Sequence, residues 1–333
     1  MRVGRAAPWW VLSMLLAVPG GASEPRCSRE DALAEAAASL MLDGGAPGDA
    51  AVLRAVRESG SDLPAAHALW VPPEGHGAVR RWMDELRERS DAPLACGRAT
   101  SGNEAVVLAA PRGGRLEVAT GGVRVELAEG FGEAYLALQD AGGDHRRLAL
   151  EEDAGSTVVP LPPGLEPPVT VQLVATGPAG PRPVAIRVVG APRAGGSGSA
   201  PSPDGDASLD DRLGDLRALH GAGSLRPNRL LAEAAHDHAR RVCESRRVAH
   251  ALGPGDDPEA RLAKRGLRAR VVGEVVARDR RASDAFAALT ESPSHRLTMV
   301  DPRFTDVGLG RARDDAGKTC LVIVFAAWPT MAW

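Results

Sequence analysis

The sequence predicts a multidomain chain: a small helical unit, an antiparallel β-sandwich and a C-terminal α+β domain. Three observations carry this reading. Residues 28 to 95 hold apolar side chains at helical spacing between Gly and Pro breaks. Residues 101 to 192 switch to short runs in which apolar and polar positions alternate. A Gly/Ser/Pro-rich stretch follows, and after it helical stripes and strand-like runs alternate in a segment of their own.

The first 23 residues read as an export signal. Arg2 and Arg5 supply positive charge, Trp9 to Val18 is a short apolar run, and Pro19-Gly-Gly-Ala-Ser23 supplies small residues for cleavage near Ala22 or Ser23. The apolar run is well short of the ~20 residues a membrane span needs. No later stretch is long and apolar enough either, so the expected destination is a periplasm or the medium. Glu24-Pro-Arg before Cys27 is not the context of a lipid-anchored cysteine. A mature chain of about 310 residues exceeds one ordinary core and suits two or three domains. Lysine is almost absent beside abundant arginine, and the formal net charge is only −3, which excludes a general nucleic-acid binder.

An even number of cysteines in an exported chain favours disulfides: Cys27, Cys96, Cys243 and Cys320. Three pairings are possible on paper. Cys27–Cys96 and Cys243–Cys320 each stay within one unit and are preferred; free buried thiols are the alternative. Each bridge would close a loop of roughly 70 residues, for which chain entropy gives about 4 kcal/mol. No Cys-x-x-Cys or Cys-x-x-His spacing is present, which argues against a structural zinc knuckle.

The helical unit is expected over 27–98. Ser28 caps an acidic first turn at Glu30-Asp31, and Ala32 to Leu42, Asp49 to Glu58 and Gly77 to Arg89 are its helices. His67, His76, Trp70 and Trp82 stand singly and read as core and surface residues. The sandwich is expected over 101–192. It starts with Ala105-Val-Val-Leu-Ala109 and ends with Val184-Ala-Ile-Arg-Val188, seven or eight short strands between turns. An immunoglobulin-like arrangement is one candidate, and a spacer or adhesion module is its simplest role. Residues 193–207 read as a flexible linker.

The last unit, 208–328, begins where Ser208 caps a helix through Leu209, Leu213, Leu216 and Leu219. Asn228 opens a longer helix through Leu231, Ala235, His238 and Val242. A short helix ends at Arg261 to Arg265. Val271 to Ala277 reads as a strand, Ala282 to Thr290 as a helix stopped by Pro293, and Asp306 to Ala312 with Thr319 to Ala326 as a closing hairpin. The result is a small antiparallel sheet with helices around it.

Several motifs here resemble the CAP superfamily of cysteine-rich secretory, antigen 5 and pathogenesis-related proteins, in its bacterial SCP-like branch. His238 and His250 stand twelve residues apart, as do the family's helical Ala-His-Ala histidine and the Ser-His that follows it. Gly273-Glu274-Val275 matches Gly-Glu-Asn. Leu289-Thr-Glu-Ser-Pro-Ser-His-Arg296 matches Trp-x-Asn-Ser-Pro-Gly-His-Arg, and Asp301 to Gly310 matches Asn-Pro-x-Phe-x-x-Val-Gly-x-Gly. The resemblance implies an α-β-α sandwich with a cleft lined by His250, His295 and Glu274. Glu291 falls where a second acidic residue stands in other members. It further implies that His250 and His295 are candidate ligands for zinc or another divalent cation. Val275, Leu289 and Ser294 depart from the family pattern and reshape the cleft wall.

The chemistry of these residues fits that implication, since neutral imidazoles suit zinc and a nearby carboxylate can orient an imidazole or a bound water. A buried hydrogen-bond network without an ion is the alternative. His238 lies on an apolar helix face and reads as a satisfied core histidine. The basic stretch Arg261 to Arg281 reads as a solvated face, or as weak attraction to an anionic envelope polymer or lipid head group. The expected function is non-catalytic binding of an apolar small molecule, envelope component or protein in or near the His/Glu cleft. The alternative is a zinc-assisted hydrolase with Glu274 as general base. A third reading places the function in the β-domain, as an envelope or glycan adhesin. No Gly-x-Ser-x-Gly and no third matching histidine occur, which favours binding.

Overall fold

A computed structural model describes residues 27–42, 49–150, 157–190 and 208–329. The expected export signal and the 193–207 linker lie outside them.

The N-terminal unit is not only helical. It runs β1 (Ser28–Arg29), α1 (Asp31–Leu42), α2 (Asp49–Glu58), β2 (His67–Val71), α3 (His76–Arg89), β3 (Leu94–Ser101) and β4 (Glu104–Pro111). Its strands form one sheet in the order β1-β3-β4-β2. The run Ala105–Ala109, expected to open the sandwich, is instead paired with β3 and β2. Alternation identifies a strand but not its partners, so the sequence could not place it. In β3, Leu-Ala-Cys-Gly-Arg-Ala-Thr-Ser has no clean alternation. Its small residues serve close packing: a Cβ on Gly97 would stand 2.3 Å from backbone atoms of Leu33 and Ala34 in α1. α1 buries Leu33, Ala36, Ala37 and Leu40, one helical stripe, on this sheet. Cys27–Cys96 bridges the entry segment to β3.

The sandwich follows as β5 (Gly114–Ala119), β6 (Gly122–Leu127), β7 (Gly132–Gln139), β8 (His145–Ala149), β9 (Thr157–Val159), β10 (Val169–Gly177) and β11 (Gly180–Val189). One sheet is β5-β6-β9 and the other β11-β10-β7-β8. Leu116, Val123 and Val125 of the first meet Leu136, Leu138, Val171 and Leu173 of the second. The pairings β6–β9 and β7–β10 join strands distant in sequence, so both sheets are held by long-range contacts. Buried Arg112 fastens this unit to the first by ion pairs with Glu30 and Asp62. The Asp62 carboxylate also accepts the Leu116 amide at 2.7 Å.

The C-terminal domain runs α4 (Leu209–Leu219), β12 (Arg226–Pro227), α5 (Arg229–Ser245), α6 (Pro258–Ala263), β13 (Val271–Asp279), α7 (Ala282–Glu291), α8 (Pro293–Met299), β14 (Asp306–Arg313) and β15 (Thr319–Ala327). The sheet order is β12-β14-β15-β13. The central strand β15 is buried throughout, and its side chains alternate between two cores. Val322 and Val324 face α5, while Leu321, Ile323 and Phe325 face α4, α7 and α8. This is the expected α-β-α sandwich. Gly308 and Gly310 explain the Gly-x-Gly of β14. A Cβ on either would stand 2.1 Å from a backbone nitrogen of α5, at Ala232 and His236 respectively, so only glycine lets that helix lie on the strand. Cys243–Cys320 then staples α5 to β15.

Candidate functional site

The site is built by chain segments returning over α5. Asn228 caps that helix with bonds to the Leu230 and Leu231 amides, and Arg246 ends it in the left-handed conformation, φ 53°. The chain therefore doubles back, and His238 on the fully buried face reaches it: Nε2 lies 2.9 Å from the Ala249 carbonyl oxygen. A carbonyl only accepts, so Nε2 carries the proton. His238 Nδ1 is then a buried acceptor without a partner among the described residues. This differs from the satisfied core histidine expected: half the ring is satisfied, and it lies 3.8 Å from Glu274.

Glu274 is placed by β13, and the residue before it must be glycine. A Cβ on Gly273 would stand 2.5 Å from the Phe304 ring. The Glu274 carboxylate is almost wholly buried and has two partners. One oxygen accepts from His250 Nδ1 at 2.9 Å, and the other is paired with the Arg261 guanidinium. Arg261 also donates to the His250 carbonyl at 2.7 Å and to the Asp256 carbonyl. Asp256 in turn is held bidentately by Arg241 and accepts the Leu252 amide at 3.0 Å. Arg261 is thus buried in the site, not part of a solvated basic face. Asp257 and Pro258 start α6 and set Arg261 one turn into it, beneath the returning loop.

The family description CAP: cysteine-rich secretory protein family matches residues 211–326, the segment that carries all of these residues. This segment is a CAP domain. Among solved structures, an outer surface protein of Borrelia burgdorferi is similar at 21% identity, over 36% of this chain and 90% of that one, with a TM-score of 0.34. An extracellular SCP-domain protein of Bacillus anthracis is similar at 13% identity, over 64% of this chain and 88% of that one, TM-score 0.30. A cysteine-rich secretory protein of Staphylococcus aureus is similar at 13% identity, over 65% of this chain and 67% of that one, TM-score 0.30. No curated protein matches the chain in sequence.

The electrostatics of the CAP domain fix protonation states. Burial alone would raise the Glu274 pKa, but the His250 hydrogen bond and the charges of His250 and Arg261 outweigh it and hold it below the usual range. The carboxylate is therefore ionised, His250 Nδ1 donates to it, and His250 Nε2 is left as the ring's open nitrogen. The His250 side chain retains 17% exposure. His295 is the third residue of α8, two after Pro293. Burial, then the nearby His250, push its pKa down to about 3, so it is a neutral imidazole. Its Nδ1 is shielded and has no hydrogen-bond partner among the described residues. His238 is likewise kept below its ordinary pKa by burial, which the Glu274 charge only partly offsets.

The structure brings His250, Glu274 and His238 into contact and puts His295 within electrostatic reach of His250. Glu291 does not join them: it is exposed at the end of α7, where its charge acts on Arg296. For a divalent cation, the candidate donors are the imidazoles of His250 and His295, the second with an orphaned nitrogen. Among the described residues no group of three His, Cys, Asp or Glu side chains could hold a metal. These residues do not supply the four protein ligands of a closed structural zinc site. The sequence missed Arg261 and Asp256, and Gln172 from the sandwich, whose side chain accepts from the Ser294 amide at 3.0 Å and from Ser292 Oγ at 3.1 Å.

Proposed function

We propose that this is an exported CAP-domain protein that binds a ligand or protein partner, without catalysis, on the face carrying His250 and His295. A divalent cation held by these two imidazoles is one occupant. An apolar small molecule, an envelope component or a protein is the partner class. The observation that carries the reading is the condition of Glu274. Both of its oxygens are taken, by His250 and Arg261, and the carboxylate itself is almost wholly buried. A carboxylate so engaged orients an imidazole; it is poorly placed to take a proton from a bound water. The hydrolase alternative needs that free base. Export is supported by the signal-like N-terminus and by two disulfides within the described residues. No described helix is long and apolar enough to cross a membrane.

The test is elemental analysis with calorimetric zinc titration, on the intact protein and on a His250→Ala/His295→Ala double variant. Stoichiometric zinc binding lost in the folded double variant supports the two-imidazole site. No binding by the folded protein removes the cation and leaves the face to apolar ligands and partners. Cleavage of an ester reporter by the zinc-loaded protein, abolished by Glu274→Gln, would sink the non-catalytic reading.

A further inference from the structure

The face of the CAP domain that carries His250 and His295 is covered by the chain's own β-sandwich. Buried Gln172 of β10 receives Ser292 and Ser294 at the start of α8, as described above. The turn between β10 and β11 reaches the other histidine. The Ala251 amide donates to the Ala179 carbonyl at 3.1 Å, and a Cβ on Gly180 would stand 3.3 Å from the His250 Cβ. Asp91 of the N-terminal unit holds the same turn, accepting the Ala179 amide at 3.3 Å and pairing with Arg182. Three units therefore meet at one turn, directly over His250.

Beside this contact lies a second pair of histidines. His145 of β8 and His220, which ends α4, meet edge to face with ring centroids 5.0 Å apart. The Nε2 atoms of both are shielded and have no hydrogen-bond partner among the described residues. The Arg296 guanidinium of α8 acts on both rings. The opposing negative charges are few: Asp140 acts on His145 from its own sheet, and Glu291 acts on Arg296. Two imidazoles facing one arginine across a domain seam tolerate each other only while neutral.

We propose that this seam is an acid-released latch: protonation of His145 and His220 separates the β-sandwich from the CAP domain and uncovers His250 and His295. The direction follows from the environment. Burial, then Arg296 and His220, hold His145 at about 4 in the closed form, and burial and Arg296 lower His220 as well. An open, solvated histidine titrates near 6.5, so the closed form is favoured above that pH and loses ground as pH falls toward 4. From these two values for His145 alone, the open-to-closed ratio rises about 30-fold between about pH 7.5 and pH 5. His220 adds to this. The latch does not depend on what the histidine pair at 250 and 295 binds.

Hydrogen exchange on the full chain tests it without any ligand, because the Ala251 amide is bonded across the seam. Its protection factor, corrected for intrinsic rates, should fall about 30-fold or more between pH 7.5 and pH 5. It should stay below that of Val322 and Val324 in β15, which report opening of the whole domain. In the His145→Gln/His220→Gln variant the fall at Ala251 should be much shallower than in the parent, leaving only what the uncovering of His295 contributes, while the pH dependence of Val322 and Val324 stays as in the parent. Small-angle scattering of the unmodified protein should show a larger radius of gyration at pH 5 than at pH 7.5. An unchanged radius overturns the latch. So does an Ala251 protection that is flat with pH in the parent, or equally steep in the double variant.

Discussion

Replacing Glu274 with Gln removes one negative charge from a buried network and leaves its shape intact. Arg261, only 6% exposed as a side chain, then keeps its two carbonyl partners but loses its direct counter-charge. Breaking a buried pair by removing one partner costs about 3–5 kcal/mol. Asp256 lies 4.0 Å from Arg261 and compensates in part, but Arg241 already engages it, so the expected loss is about 3 kcal/mol. The assay is native-state hydrogen exchange at Val322 and Val324, which report opening of the CAP domain and avoid treating three units as one transition. A loss of about 3 kcal/mol lowers their protection by about 10²-fold. The Arg261→Met/Glu274→Leu double variant, which removes both charges, should be less destabilised than Glu274→Gln. The pH dependence carries the same sign. The Glu274 pKa is depressed in the fold, so its contribution is present above the unfolded carboxylate value and is lost as pH falls through the folded one. A Glu274→Gln protein that lost under 1 kcal/mol, with an unchanged acid limb, would refute the claim that this carboxylate is fully committed to the network.

Three further outcomes follow from the same geometry. Gly310→Ala puts a Cβ 2.1 Å from the His236 amide nitrogen and must push α5 off the sheet. It should cost about 1–3 kcal/mol or more, read from the urea midpoint. Reducing Cys243–Cys320 frees α5 from β15 and should cost about 2–5 kcal/mol in the CAP domain, read as lost protection at Val322. His295 titrates at about 3 in the fold and near 6.5 when unfolded, so CAP-domain stability should fall as pH drops from about 6.5 toward 3. His295→Gln should shorten that fall, followed by protection of Val322 against pH.

Much of the C-terminal domain could be read without coordinates because its signals are local. Ser208 and Asn228 are caps, Pro293 lies just past the end of α7, and the alternation of Thr319 to Ala326 marks a strand, although the short helix α8 that Pro293 starts was not foreseen. The Cys27–Cys96 and Cys243–Cys320 pairing followed from keeping each bridge inside one unit. Residues 94–111 were harder. A strand of Leu, Ala, Gly and Thr carries little periodicity, and its neighbours in the sheet are set by contacts as distant as α1.

The sequence by itself determined most of the C-terminal elements, the CAP motifs and the candidate imidazoles, because propensity, capping and motif spacing act over a few residues. Tertiary structure alone decided the state of those groups. Arg261 looked solvated among neighbouring basic residues, yet it is buried against Glu274, because β13 and the returning loop converge on it. Glu291 looked like a cleft residue, yet the end of α7 holds it in solvent. Gln172 and Ala179 belong to a different unit, 78 and 71 residues before His250, and they cover its face only because two folded surfaces meet. Burial, and with it protonation state, is a property of that meeting and has no local signature in the chain.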